Sequence, residues 1–137
     1  MVLVFEEEVA KLLFRYAAVI AYLRGKDFTP DMRRIIRASQ GAEKLYGFGP
    51  NGLNNLPIRE LVPESQWAAQ EERQRLLDVD ERPHWFGGQH GFTAKHKNGS
   101  EFAADFRLIP CYTEDGVPLT IAEVIETNGR PQPVVKG

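Results

Sequence analysis

A hairpin signal in the second half of the chain constrains the fold more than any other feature. Residues 91–110 read GFTAKHKNGSEFAADFRLIP, two strand-like runs that flank a polar corner. In that corner Asn98 and Gly99 supply the positive φ angles that a type I′ turn needs. The run after the turn has a period of two, which predicts a strand with one apolar face. Its apolar positions are Phe102, Ala104, Phe106 and Leu108. The hairpin thus predicts the spine of an antiparallel sheet.

A second hairpin follows directly. The acidic turn Thr113–Gly116 separates the first hairpin from Val117–Glu126, which predicts a third strand with Pro118 at its entrance. Three antiparallel strands in succession form a meander, and a meander must cover its apolar face with other elements. We therefore expect the residues before Gly91 to provide that cover.

Length, charge and cysteine content limit the classes of protein to which the chain can belong. With 137 residues, 42% of them apolar, it is long enough for one domain with its own core. A formal net charge of −2 gives no field that would draw it to nucleic acid or to an anionic membrane. No run reaches membrane-spanning length, and the single cysteine rules out a multi-cysteine zinc site. We expect a cytoplasmic protein without a metal site, a direct nucleic-acid partner or a membrane partner.

The first part of the chain predicts one helix and two strands. Apolar residues recur at helical spacing within residues 1–16, with charged residues between them, which indicates an amphipathic helix. Its apolar positions are Phe5, Val9, Leu12, Leu13 and Tyr16. Ala17–Leu23 is a short run rich in strand formers, and Arg33–Ser39 predicts a second strand. The basic residues of that strand are expected at a solvated edge: Arg33, Arg34 and Arg37.

Helices are predicted for the middle of the chain. Gly41–Phe48 predicts a short helix, residues 52–63 predict small helical turns, and Glu64–Asp80 predicts a longer helix with a thin apolar stripe. Strand pieces follow at His84–Phe86 and Gln89–Lys95. Together with the meander, this order predicts an α+β domain.

Three stretches of the sequence resemble the Per-ARNT-Sim (PAS) sensory domain family. Residues 34–48 (RIIRASQGAEKLYGF) resemble its second strand and following helix, Leu56–Pro63 resembles the segment before its long helix, and residues 95–108 (KHKNGSEFAADFRL) resemble its next hairpin. The stretches stand in the family's order. The resemblance implies a five-stranded antiparallel sheet in the order 2-1-5-4-3, with short helices on one face and an N-terminal flanking helix.

The resemblance divides the chain into a flanking helix at residues 1–16, a PAS domain at residues 17–127, and a tail or linker start at residues 128–137. In such domains the outer face of the sheet commonly packs on an N-terminal helix or on a second copy. Here we expect the apolar face of the flanking helix and the outward-pointing Ile121 and Ile125 to form that contact.

The space between sheet and helices in a PAS domain holds a cofactor, a small ligand or only side chains. Strand alternation and helical period point a set of residues into that space, where they would suit an aromatic or fatty small molecule. These candidate ligand-binding residues are Ile20, Tyr22, Ile36, Leu61, Trp67, Leu76, Phe92, Phe106 and Val124. The alternative is that the same residues simply fill the core.

Residues that hold the family's common cofactors are missing from the expected positions. The predicted long helix contains no histidine to ligate haem iron, and His84, His90 and His96 follow it as surface or strand-edge residues. Light-sensing members with flavin keep a cysteine after the second strand, whereas the only cysteine here is Cys111. Val124 stands where those members place a glutamine. We expect neither haem nor a flavin adduct, and the cofactor stays unknown with non-covalent flavin open.

The resemblance implies a regulatory sensor domain of a signal-transduction protein, such as a two-component or transcription regulator. It would act as a homodimer that passes the state of its pocket to a kinase, cyclase or DNA-binding output domain in the same or a partner chain. The alternatives are a ligand-free PAS dimerisation or docking module and a small-cavity enzyme such as an isomerase. No catalytic residue is predicted, because Asp105 and Glu123 point to the sheet face opposite the pocket.

Overall fold

Antiparallel strands dominate the computed structural model, which describes residues 3–4, 18–87 and 92–127. The strands are β1 (Leu3–Val4), β2 (Val19–Leu23), β3 (Ile35–Ala38), β4 (His84–Phe86), β5 (Thr93–Lys95), β6 (Glu101–Tyr112) and β7 (Pro118–Glu126). The helices are α1 (Gln40–Tyr46) and α2 (Trp67–Val79), with short 3₁₀ turns at Pro30–Met32, Ile58–Leu61 and Glu64–Gln66. No helix in the described part of the chain has the length and apolar composition needed to cross a membrane.

The sheet runs in the order β1-β6-β7-β2-β3, with β4 and β5 also paired to β6. The long β6–β7 ladder forms its spine, from the pair Ala104 and Glu126 to the pair Tyr112 and Pro118. The predicted α+β class is confirmed, and the path β3-β2-β7-β6, with β4 and β5 beside β6, follows the predicted order 2-1-5-4-3. It differs in two details. The two strand pieces predicted at His84–Phe86 and Gln89–Lys95 pair separately with β6 as β4 and β5, and β1, which lies in the segment predicted as the flanking helix, pairs in parallel with the end of β6.

The β5–β6 turn forms where the sequence predicts it, but it is not the predicted type I′ turn. Only Gly99 has a positive φ, of 91°. Asn98 contributes its side chain instead, because its Oδ1 accepts a hydrogen bond from the Ser100 amide at 2.9 Å. A side-chain acceptor replaces the second left-handed residue, so the hairpin keeps its position with a different turn.

Helix α1 begins and ends through local contacts that fix it against the sheet. The Ser39 hydroxyl accepts hydrogen bonds from the amides of Ala42 (3.2 Å) and Val19 (3.0 Å), so one side chain caps the helix and ties it to β2. The helix ends at Gly47, whose φ of 84° favours glycine. A Cβ at Gly47 would lie 2.1 Å from the His96 ring, so the β5–β6 turn packs directly over this end.

Two apolar clusters lie on opposite faces of the sheet. The inner cluster, between the sheet and the helices, includes Ile20, Tyr22, Ile35 and Leu77. The outer cluster consists of Val19, Ala21, Ile109, Cys111, Leu119 and Ile121. Ile121 is fully buried there, and Ile125 is partly buried. The predicted cover of this face, with Phe5, Val9, Leu12, Leu13 and Tyr16, lies outside the described residues, and so does the tail at residues 128–137.

Candidate ligand cavity

A cavity of about 40 Å³ lies between α2, the 3₁₀ turn Ile58–Leu61 and the inner face of the sheet. Its apolar wall consists of Ile20, Ile58, Leu61, Val62, Phe106, Leu108, Ala122 and Val124. Its polar wall consists of Tyr22, Tyr46, Gln70, Arg73, Gln74 and Thr93. Since a buried water needs roughly 10–15 Å³ of such space, the cavity has room for a few waters or one small chemical group.

The structure brings five of the nine predicted ligand-binding residues to this cavity. They are Ile20, Tyr22, Leu61, Phe106 and Val124. Strand alternation and the predicted 3₁₀ turn suffice to place them there. Whether they contact a ligand stays a prediction.

Ile36 does not line the cavity, and its neighbour Ile35 takes the inward position. Ile36 is 38% exposed, whereas Ile35 is 1% exposed and packs in the inner cluster. The β2–β3 pairing explains the shift, because its register is irregular between Ala21 and Tyr22 and sets Ile35 opposite Tyr22. An irregularity of one residue reverses the faces of all residues beyond it.

Leu76 is also displaced from the cavity, because the inward stripe of α2 differs from the predicted one. Leu76 is 38% exposed, whereas Leu77 is fully buried. The inward stripe is Gln70, Arg73, Gln74 and Leu77, at positions i, i+3, i+4 and i+7 of the helix. Sequence reasoning missed the three polar members because it assigned charged and amide side chains to solvent. Their helical spacing relative to Leu77 was the available signal.

Trp67 and Phe92 lie beside the cavity without lining it. The Trp67 indole N–H donates to the carbonyl oxygens of Val62 (3.0 Å) and Arg59 (3.2 Å), and the Arg59 guanidinium lies 4.4 Å from the ring centroid. Trp67 therefore fixes the start of α2 to the preceding turn. Phe92 packs edge-on against Phe86, with 6.0 Å between ring centroids.

The Tyr22 hydroxyl belongs to the polar wall of the cavity and is hydrogen-bonded to Gln74. It lies 2.9 Å from Gln74 Nε2, which donates to it, and the whole side chain is buried. Burial raises the pKa of Tyr22, although the hydrogen bond to Gln74 opposes the shift. Burial also raises the pKa of Tyr46. Both phenols therefore stay protonated in the folded protein well above neutral pH.

Arg73 is the one charged residue among the described side chains that line the cavity. Its Nη1 atom is buried and has no hydrogen-bond partner, and no carboxylate of the described residues forms an ion pair with it. The guanidinium lies over the rings of Phe92 (4.6 Å to the centroid) and Phe86 (5.4 Å). Burial lowers the pKa of Arg73, which is the expected response of a cation without an acidic partner.

Two buried arginines of the same layer, unlike the half-buried Arg73, have acidic partners. Arg24 reaches Glu81 at 2.8 Å and Asp78 at 3.5 Å. Arg33 forms an ion pair with Glu71 at 2.6 Å and is 3% exposed, so the prediction of a solvated position for Arg33 is wrong. A carboxylate on α2 makes its burial possible.

The described residues offer no evident catalytic or metal centre. Glu123 lies on the outer face of the sheet, where Arg107 Nη1 donates to it at 3.0 Å, and burial raises the pKa of its carboxyl group. His84 Nε2 lies 3.0 Å from the carbonyl oxygen of Asp80. No group of three or more histidine, cysteine or acidic side chains in this part of the chain is arranged to hold a metal ion. His90 lies outside the described residues.

The sequence profile of the PAS domain family matches residues 25–126, which include the sheet from β3 to β7, both helices and most of the residues that line the cavity between them. The chain belongs to the PAS domain family. This confirms the resemblance drawn from the three sequence stretches. A comparison with curated proteins gives no match.

Solved structures of PAS and light-oxygen-voltage domains share this fold. A light-oxygen-voltage domain studied with a flavin analogue is 19% identical, with a TM-score of 0.67, over 90% of this chain and 86% of that chain. The light-oxygen-voltage protein of Rhodobacter sphaeroides is 13% identical, with a TM-score of 0.66, over 91% and 69%. The PAS-B domain of Drosophila melanogaster Cycle with bound glycerol is 12% identical, with a TM-score of 0.62, over 80% and 99%. At these identities the likeness shows the fold alone.

The residues of this PAS domain do not fit a flavin. The cavity of about 40 Å³ is far below the roughly 300–1,000 Å³ of typical small-molecule sites. The thiol of Cys111 belongs to the outer cluster, so the sheet separates it from the cavity. Among the described lining residues none is a cysteine that could react with a bound ring.

Proposed function

We propose that this PAS domain is a regulatory sensor that binds a small molecule in the cavity between α2 and the sheet. The observation behind the proposal is the polar wall of the cavity, where a buried Arg73 donor has no partner. A cavity that only completed the core would favour apolar side chains, because a buried polar group without a hydrogen bond costs free energy. A ligand would supply the missing acceptor.

Transmission of the signal would use the far end of α2. There the Arg24 cluster, which we define as Arg24, Asp78, Glu81 and Tyr112, joins the helix to β2 and β6. The Arg24 guanidinium lies 5.1 Å from the centroid of the Tyr112 ring, and Tyr112 pairs with Val4 of β1. A shift of α2 on ligand binding would therefore reach the strand that leads into the N-terminal flanking segment.

In this proposal the protein acts as a cytoplasmic homodimer and has no catalytic activity of its own. Ile125 on the outer face, together with the flanking segment, would form the dimer contact, while Ile121 is already fully buried within one copy and would support that face from beneath. The output domain, a kinase, cyclase or DNA-binding domain, would be in the same chain or a partner chain. The fold supports these assignments because PAS domains commonly dimerise and pair with such domains.

Native mass spectrometry of the freshly purified protein tests the sensor. We expect a bound small-molecule mass that is lost on gentle activation. In Ala122→Val two methyl groups enter the cavity, since Ala122 is part of its wall, and we expect the bound mass to disappear. Ala68→Val on the exposed side of α2 is the matched control and should keep it. An absorption spectrum recorded beside it would identify any chromophore.

The second candidate function is a ligand-free dimerisation or docking module. The small volume of about 40 Å³ favours it, because side chains already fill most of the space between sheet and helices. A clean apo mass for the wild type, unchanged in Ala122→Val, would favour the docking module over the sensor.

A further inference from the structure

We propose that the ligand of this cavity is a small organic monocarboxylate, whose carboxylate group binds the Arg73 guanidinium. The inference rests on the proposed sensor function and specifies the chemical class of the ligand. It depends on three features of the described residues: the charge of the cavity, its donors and its size.

Charge comes first. Arg73 is the only charged group among the described lining residues, and its Nη1 donor is buried without an acceptor. Arg24 and Arg33 in the same layer each pair with a carboxylate of α2 or of the residues just after it. The contrast identifies Arg73 as the arginine whose anion is not supplied by the described part of the chain. A single negative charge would neutralise it, and a guanidinium binds a carboxylate in a bidentate geometry.

The neighbouring groups are donors that complement a carboxylate. Gln70 lies one helical turn before Arg73, is 5% exposed, and its side-chain amide has no hydrogen bond within the described residues. Tyr22 contributes a hydroxyl held by Gln74. An anion bound here would accept hydrogen bonds from the guanidinium and from an amide N–H, which together replace its hydration shell.

Size and the opposite wall restrict the ligand further. The wall facing these donors is apolar, with Phe106, Leu108 and Val124 from the sheet. A space of about 40 Å³ admits a carboxylate with a short hydrocarbon chain. A phosphate would bring about two negative charges at neutral pH, and no second cation among the described lining residues would balance them. The observations therefore favour a monocarboxylate over a phosphate.

The test compares acetate, propionate and butyrate with their neutral amides by ¹H–¹⁵N NMR titration of the full chain, with chloride added to equal ionic strength. We expect saturable shifts of the Arg73, Gln70 and Gln74 signals with at least one acid, and at least tenfold weaker binding of its amide. Arg73→Gln should weaken binding of the acid at least tenfold. The matched control is Arg75→Gln, which removes an exposed arginine of the same helix and should change affinity less than twofold.

Arg73→Lys is a second variant that keeps the positive charge, and it serves if Arg73→Gln does not fold. We expect it to bind the acid more weakly than the wild type and more tightly than Arg73→Gln. Equal binding of acid and amide, or equal binding by wild type and Arg73→Gln, would overturn the carboxylate assignment and leave the sensor standing. No binding of any acid, with a neutral bound mass in native mass spectrometry, would do the same. No binding together with a clean apo mass would reject the sensor as well.

Discussion

At the scale of single residues, two buried phenols make the free energy of unfolding fall with rising pH in the alkaline range. The pKa of an unfolded tyrosine is about 10, and burial raises the pKa of both Tyr22 and Tyr46. The neutral phenol is favoured in the fold, so its contribution is complete below pH 10 and is lost as pH rises above that value. We expect Tyr46→Phe to make the fall of the unfolding free energy above pH 10 shallower by about 1.4 kcal/mol per pH unit.

Tyr22→Phe provides the contrast for this measurement by urea denaturation. The Tyr46 hydroxyl makes no hydrogen bond within the described residues, so Tyr46→Phe should stay within about 0.5 kcal/mol of the wild type at pH 7. Tyr22→Phe should cost about 1–2 kcal/mol there, because it leaves the Gln74 amide without its partner. Equal alkaline slopes in the wild type and in both variants would show that neither phenol titrates as a buried group.

The residues that sequence analysis placed correctly are those whose local pattern is unbroken. Ile20 and Tyr22 lie in one regular strand, so alternation gives their direction. The predicted inward orientation of Ile36 was wrong, because Ile36 lies at a register irregularity that alternation does not reveal. The lack of an acidic partner for Arg73 among the described residues could not be predicted, for a different reason. Whether an arginine in this layer has a carboxylate partner depends on contacts between distant elements. Arg33, for example, pairs with a carboxylate 38 residues away.

At the scale of elements, the inward stripe of α2 determines how this helix contributes to stability. Leu77→Ala should cost about 2–5 kcal/mol, because the side chain is fully buried and its removal leaves a cavity. Leu76→Ala removes the same atoms from a position that is 38% exposed and should cost less than about 1 kcal/mol. Thermal and urea unfolding of the two variants compare them directly. Equal losses would contradict an orientation of α2 in which Leu77 faces the core and Leu76 faces solvent.

The Arg24 cluster is the second feature that belongs to this scale, because it joins three elements. Arg24→Met would leave Asp78 without its cation and the Leu119 carbonyl oxygen without its donor, and we expect a loss of about 3 kcal/mol. Arg82→Met, which breaks an exposed pair with Asp80, should change stability by less than about 1 kcal/mol. A loss in Arg24→Met as small as that in Arg82→Met would mean that α2 does not depend on this tie.

Elements were more predictable than their contacts. The two hairpins and the longer helix follow from period-two and helical patterns of sufficient length, and all of them are present. The strand pieces predicted at His84–Phe86 and Gln89–Lys95 are present as β4 and β5, whereas the pairing of β1 with β6 did not follow, since a strand of two residues is too short for a periodic pattern. The face of α2 was misassigned because its inward stripe is mostly polar.

At the scale of the whole molecule, the proposed function requires the cavity and the N-terminal strand to be coupled through the body of the domain. The inner cluster lies at one end of that route, and the pairing of β1 with Cys111 and Tyr112 lies at the other. The Arg24 cluster connects the end of β6 to α2, since Tyr112 and Arg24 both bind Glu81 and Arg24 also binds Asp78 of the helix. Coupling of this kind requires two packings of α2 that differ in free energy. A ligand shifts the equilibrium between them only if it binds the two with unequal affinity.

Tyr112→Phe tests this coupling in the intact chain, and it rests on both the sensor and the carboxylate proposals. The variant removes the hydroxyl that donates to Glu81 and leaves the cavity wall unchanged. We expect affinity for the bound acid within twofold of the wild type, while the ligand-induced NMR shifts of the Cys111 and Leu119 amides fall by at least half. Arg82→Gln, outside the Arg24 cluster, should leave both quantities unchanged. Full shifts in Tyr112→Phe would show that the state of the cavity reaches the sheet by another route, and loss of binding would show that the Arg24 cluster sets the packing of α2 that the ligand needs.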